Sequence, residues 1–354
     1  MLVEHYYPQS LSQARLDKYL ASGWFRSAPM LYRSQLLCLE GDVFSTVNIR
    51  IDLEEYTFKK SFQKIMRRNE QRFEVRIQPA RLDEARDALY QTQKHRFKGF
   101  IFDHLPQFFF ANLDESVFDT WEVGVYDGDR LVAVSFFDQG KKSLASILGL
   151  YHPDYEKYSL GTYTMLNEIL YGIKTNRRYH YPGYVLDKSS IFDYKLRFGN
   201  GKMQFYDWKG RWKPYEKFSE EHFMVHTLRE KIQEVEHLLS KYDIPYQKLL
   251  YPMFSVGYLA FMGDQFVKSP VMISCYPDQN RPLKLIVEYI LEDDIFRLSW
   301  ASLCPEYQEF LNMHISEDLL DEKIYTLNLL RTEDILFQHA SSEKLMQEII
   351  QYKR

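Results

Sequence analysis

The stretch that most restricts the fold runs over residues 143–208. It opens on SLASILGLY, an apolar run of strand length, and passes through the loop Tyr158-Ser159-Leu160-Gly161 into a helical segment over 159–176. An aromatic strand over 179–185 follows, then a short helix near 190–197 carrying Tyr194-Lys195, and a last strand over 203–208. A strand that feeds a Gly-containing loop at a helix N-terminus leaves first-turn amides unpaired, a setting that suits an anion.

The residues before this stretch supply its neighbours. A helix is expected over 80–97 and a strand over 121–127. Asp127-Gly128-Asp129 turns that strand into LVAVSFFD, and Gln139-Gly140-Lys141-Lys142 turns the next into SLASILGLY. Helix, three-stranded meander, loop, helix, strand, helix, strand resembles the order of a GNAT-type acyltransferase. The expected fold class is therefore α+β: a GNAT-like acyltransferase domain over 76–217, behind a small α/β N-terminal region over 1–75.

In that front region an amphipathic helix over 10–24 ends at Gly23. MLYRSQLLCLEG and VFSTVNIRIDL read as strands joined by Glu40-Gly41-Asp42. FKKSFQKIMRRNEQR (58–72) reads as a basic helix with Phe58, Phe62, Ile65 and Met66 on one side. Residues 218–354 read as an additional α+β domain: a helix over 219–242, strands at VMISCY, LKLIVEYILE and FRLSWASL, and a final helix over 342–352.

Charge separates the two ends. Residues 1–217 hold 32 Lys/Arg against 27 Asp/Glu, and residues 218–354 hold 13 against 22. A basic front suits a polyanionic partner, while two domains that merely differ in composition give the same numbers. At 45% apolar and 27% charged the chain is composed like an ordinary globular protein. It has no apolar run near the roughly 20 residues of a membrane helix and no basic-then-apolar N-terminal signal, so a cytoplasmic location without a membrane partner is expected. Cys38, Cys275 and Cys304 are widely spaced and lack CxxC spacing, which argues against a zinc site or a disulfide framework.

SLGTYTMLNEI followed by YHYPGYVLDKSSIFDYKLRF resembles the C-terminal half of the arginyl-tRNA–protein transferases and their leucyl-transferring bacterial relatives. Their own pattern is roughly Ser-Leu-Gly-x-Tyr, Tyr-Leu-Gly-Tyr and Met-x-Tyr-Lys-x-x-Phe. The front matches in order: YLASGWFRSAPMLYRSQLLC, VNIRI and KIMRRNEQRF resemble the family's Gly-Phe-Arg-Arg-Ser, Val-x-Arg-Ile and Arg-Arg-Asn. The resemblance covers about residues 14–208 and is collinear. Two departures stand out. Only Cys38 remains of a cysteine cluster linked in the family to metal binding, so no metal is expected. Pro182 replaces the family's Leu before Gly-Tyr, removing a backbone donor.

The resemblance implies an enzyme that transfers an amino acid, Arg or Leu, from aminoacyl-tRNA to an acidic N-terminal residue of a protein. The implied partners are aminoacyl-tRNA and protein or peptide N-termini, with no bound cofactor. The chemistry is undemanding, because an ester is activated and roughly a tenth or more of an α-amine is neutral at pH 7. Alignment and oxyanion stabilisation carry most of it, so no Ser-His-Asp set is required.

On this implication Tyr184, Tyr194 and Lys195 are the candidate catalytic residues. Ser159, Gly161, Thr162 and Tyr163 would meet the donor, although Ser159 is equally suited to cap the helix. Arg197, Arg26, Arg33 and Arg50 would meet carboxylate or phosphate, with structural ion pairing as the alternative. Lys59, Lys60, Lys64, Arg67 and Arg68, with Arg72, would follow the tRNA backbone unless they are only a solvated face. Two rival functions are an acyl-CoA-dependent N-acyltransferase and a non-catalytic binding module for acidic N-termini or RNA. Against the first, Tyr163 stands where the acetyl-CoA loop needs a second small residue.

Overall fold

The computed structural model describes residues 3–39, 42–97, 101–110, 116–250, 266–267, 269–277, 282–304 and 329–352. From the N-terminus, β1 (Val3–Tyr6) leads to α1 (Gln13–Ala21), where the Ser12 hydroxyl accepts from the Arg15 amide. Gly23 then turns the chain at φ +78°, and a Cβ there would come within 2.8 Å of the Tyr206 ring. Strands β2 (Phe25–Ser27) and β3 (Met30–Ser34) form a hairpin, with β1 on the far side of β3. β4 (Leu36–Leu39) pairs with the start of β5 (Asp42–Asp52); Glu40 and Gly41, the expected turn, lie outside the described residues. Next come α2 (Lys60–Glu70), β6 (Glu74–Pro79), α3 (Glu84–Gln93) and α4 (Leu105–Phe110).

The meander is β7 (Thr120–Asp127), β8 (Arg130–Gln139) and β9 (Ser143–Tyr151). α5 (Leu160–Lys174) connects it to β10 (Tyr179–Leu186). The expected helix near 190–197 is a 3-10 turn over Asp193–Phe198, followed by β11 (Met203–Tyr206) and β12 (Trp212–Pro214). The C-terminal part comprises α6 (Met224–Lys241), β13 (Tyr246–Leu250), β14 (Val271–Cys275), β15 (Leu283–Ile290), β16 (Ile295–Cys304), β17 (Leu329–His339) and α7 (Ser342–Ile350).

The chain divides into two compact units. One is His5–Arg33 with Val47–Phe218; the other is Met1–Glu4, Ser34–Thr46 and Ser219–Arg354. Residue 75, the expected first boundary, lies inside the first of these. That unit is built on a sheet of order β12-β11-β5-β10-β9-β8-β7-β6. α5 packs on β8 and β9, with Leu160, Leu166 and Ile169 fully buried, while Leu89 and Tyr90 of α3 and Phe109 of α4 join the Phe136 and Leu150 cluster.

The second unit is an antiparallel sheet of order β13-β14-β15-β16-β17. Val225, Leu228, Ile232, Val235 and Leu239 of α6 recur at three- and four-residue steps, so they form one stripe. With Leu345, Met346 and Ile349 of α7 they build its core, which also takes in Leu36 and Val43 of the β4–β5 hairpin.

Candidate active site

The site is set by an interrupted strand pair. β9 and β10 run parallel but pair only at Ser143 with Tyr179, Leu144 with His180 and Ala145 with Tyr181. Immediately beyond, β9 carries a bulge: Phe137 faces Ser146 and Phe136 faces Leu148, leaving Ile147 without a partner. On β10 the next residue is Pro182, which has no N–H to donate. The strands part here, and α5 runs from the separated end of β9 back to the paired start of β10.

The residue before α5, Ser159, is left-handed (φ +56°, ψ 46°) and exposed, and its hydroxyl makes no capping bond. The expected Ser159 cap is therefore absent, because capping requires extended backbone at that position. First-turn amides, including those of Gly161 and Thr162, are not used by the helix. The Gly161 Cα faces the Tyr151 ring, and Arg96 Nη1 donates to the Tyr151 hydroxyl. Tyr163 is fully buried, so its side chain is core and not a surface for a substrate.

The Tyr-Lys pair closes the other wall. Lys195 Nζ donates to the Tyr184 carbonyl at 2.9 Å and sits 5.1 Å and 5.0 Å from the Tyr184 and Phe192 ring centres. Burial pushes the Lys195 ammonium down to about 8. Gly183 makes this contact possible: its φ is +101°, and a Cβ would lie 3.2 Å from Nζ. Burial raises Tyr184 to about 12, which makes it a holder of its proton at neutral pH. Tyr194 is half exposed, and burial and then the Glu168 charge raise its phenol.

α2 holds both walls. At its start Lys59 donates to the Arg197 carbonyl (2.8 Å), and Phe62 stacks on Phe198 at 5.1 Å. At its end Arg68 and Asn69 both donate to the Tyr158 carbonyl, at 2.7 Å and 3.0 Å, and Arg72 donates to the Tyr158 hydroxyl. The Arg-Arg-Asn sequence thus fixes the loop that opens α5. Lys60, Lys64 and Arg67, at i, i+4 and i+7, stand exposed on one face of α2.

The front arginines are elsewhere and already engaged. Arg26 is enclosed, bonded to the Ala28 and Phe109 carbonyls, Thr120, Ser116 and Asp138, with its guanidinium 4.1 Å from the Phe118 ring. Arg50 lies between the Tyr179 and Trp212 rings at 3.8 Å and 4.3 Å and donates to Gln204. Both are structural, so their proposed substrate roles are withdrawn. Arg33 is half-buried against Trp24 and Trp208.

Residues 80–205 match the family profile described as arginine-tRNA-protein transferase, C terminus. Over this segment the chain is similar to that family. Relatives named aspartate/glutamate leucyltransferase include one from Leptospira interrogans, 25% identical over 53% of this chain and 74% of that protein. Another, from Campylobacter jejuni, is 27% identical over 54% and 81%, and a third, from Vibrio cholerae, is 26% identical over 54% and 80%. Among solved structures, a GCN5-related N-acetyltransferase from Anabaena variabilis superposes with a TM-score of 0.30 at 12% identity, over 58% of this chain and 43% of that one.

The same segment holds a group that the sequence reading missed: Ser146, Glu168 and His180. Glu168 continues the i, i+4 row Leu160, Thr164, Glu168, Gly172 along the packed face of α5, and a carboxylate in such an apolar row is the signal by which it could have been found. No group of three or more His, Cys, Asp or Glu among the described residues is arranged to hold a metal ion. Backbone pairing puts Cys38 opposite Val43 on β4. No helix among the described residues is long and apolar enough to cross a membrane.

Proposed function

We propose that this chain is an aminoacyl-tRNA–protein transferase that moves an amino acid, Leu or Arg, from its tRNA ester to the α-amine of an N-terminal Asp or Glu. The observation that carries the reading is the parting of β9 and β10 inside the family-matching segment, with the α5 N-terminus on one side and Tyr184, Tyr194 and Lys195 on the other. The names of the relatives supply the substrate class.

The reaction joins the acceptor nitrogen to the ester carbonyl and releases the ribose oxygen. The protein has to align the two ends, for which proximity contributes up to about 7–11 kcal/mol. First-turn amides of α5 suit the phosphate of the terminal nucleotide or the oxyanion. Tyr194 is suited to hand a proton to the departing ribose oxygen. Lys195, with its ammonium near 8, is suited to an acidic acceptor side chain when charged and to proton transfer when neutral. The exposed Lys60, Lys64 and Arg67 face is suited to tRNA phosphates. Nothing in this scheme requires a bound cofactor.

The test supplies the protein with charged total tRNA or labelled acetyl-CoA, together with a peptide bearing N-terminal Asp or Glu, and weighs the peptide. Mass added from tRNA supports the reading, and mass added from acetyl-CoA alone overturns it. Binding of RNA or peptide without transfer replaces it with a recognition module.

A further inference from the structure

Glu168 and His180 are almost completely shielded from water, at 1% and 0% exposure. His180 Nε2 lies 3.0 Å from Glu168 Oε2, the same oxygen to which the Ser146 hydroxyl donates, and Ser146 Oγ is 3.2 Å from Nε2. His180 Nδ1 is buried without a hydrogen-bond partner. A neutral ring with its proton on Nε2 is the form that strands no buried N–H, and we assign that tautomer. Glu168 is then a buried carboxylate held by two neutral donors, with no Lys or Arg pairing to it among the described residues. The titratable group bonded to it is His180 from β10; burial and then the Glu168 charge raise the phenol of Tyr194 in the 3-10 turn.

The position of Ser146 gives this group an outlet. Ser146 is the first β9 residue beyond the last β9–β10 pair and abuts the Ile147 bulge, so its half-buried hydroxyl stands where the strands part.

We propose that Glu168, acting through Ser146, takes the proton that the acceptor's α-ammonium must lose before it attacks. This rests on the aminoacyl-transfer reading above. An ammonium proton passes to Ser146 Oγ as the hydroxyl hydrogen moves to Glu168 Oε2, giving a neutral amine and a carboxylic acid. The amine nitrogen bonds the ester carbon, the carbon–ribose oxygen bond breaks, and the nitrogen's second proton goes to the ribose oxygen. Glu168 returns its proton to water through Ser146. His180 positions the carboxylate through its Nε2–H.

The experiment uses full-length Glu168→Gln and Ser146→Ala with two acceptor peptides, one with the natural α-amine and one with an aminooxy group that carries no proton near neutral pH. For the amine, transfer by Glu168→Gln falls about 100-fold or more, and the loss narrows as pH is raised. For the aminooxy peptide the loss stays within about threefold. Equal loss on both nucleophiles, or no loss on either, overturns the proposal. If Glu168→Gln does not fold, Ser146→Ala decides by the same contrast. Failure of the unmodified protein to transfer from tRNA to either peptide overturns the parent reading and this one with it. Normal transfer with unaffected variants overturns this one alone.

Discussion

The arginines of the N-terminal strands and the cations of α2 carry the same formal charge and meet opposite surroundings. Arg26 and Arg50 are each surrounded by aromatic rings and acceptors from three or more segments, so their charge is consumed in holding strands together. Lys60, Lys64 and Arg67 sit on the water side of a helix whose other side carries Phe62 and Met66. In a β-strand beside aromatic residues, an arginine has rings to stack on and carbonyls to bond. A cation on the polar face of an amphipathic helix has neither and is left for a ligand.

The largest expected effect breaks the buried side of this contrast. Arg26→Met leaves Asp138 buried without its cation and lowers unfolding free energy by about 3–5 kcal/mol, read by urea denaturation. Unchanged stability with lost acceptor binding would reverse the assignment of Arg26. Next, joint replacement of Lys60, Lys64 and Arg67 by Glu raises KM for aminoacyl-tRNA by more than about tenfold and flattens its salt dependence. The same variant keeps its stability within about 0.5 kcal/mol, so a large loss of Tm would make this face structural.

Lys195 lies between the two cases, a cation with one carbonyl partner and two rings. Burial favours its neutral form in the folded state, so between about 8 and the ordinary 10.5 the unfolded chain binds more protons. Stability from this group therefore rises as pH climbs through that window, and Lys195→Met removes the rise in denaturation curves taken across it. The smallest effect belongs to Lys59→Met. It keeps an apolar cover on Phe62 and loses the bond to the Arg197 carbonyl, costing about 0.5–1.5 kcal/mol with KM for tRNA changed less than about threefold. A KM change as large as that of the triple variant would move Lys59 into the exposed set.

Much of the first unit was legible because apolar periodicity and turn residues agreed. Ser143–Tyr151 has the expected bounds, and α5 and β10 differ from expectation only at their ends. β6 went unread because EVRIQP alternates charged with apolar residues at a sheet edge, and β13 because YQKLL is short and polar at its start. β17 was missed because TED interrupts its apolar run. The site was half legible. Lys195 meets Tyr184, its near neighbour in sequence. Ser146, Glu168 and His180 lie on three separate elements, and only the parallel pairing of β9 with β10 brings them together. The burial of Arg26 was invisible because its partners other than Ala28 are 83–112 residues away in sequence.

The grouping of Ser34–Thr46 with residues beyond 219 has a consequence for how the protein is made. Leu36 and Val43 leave the ribosome far ahead of the α6 and α7 side chains that bury them. At about 5–20 residues per second, the interval from Thr46 to Ser219 alone lasts about 9–35 s. For that time the hairpin is an apolar element awaiting its core, and stopping synthesis at Phe218 would leave it so permanently.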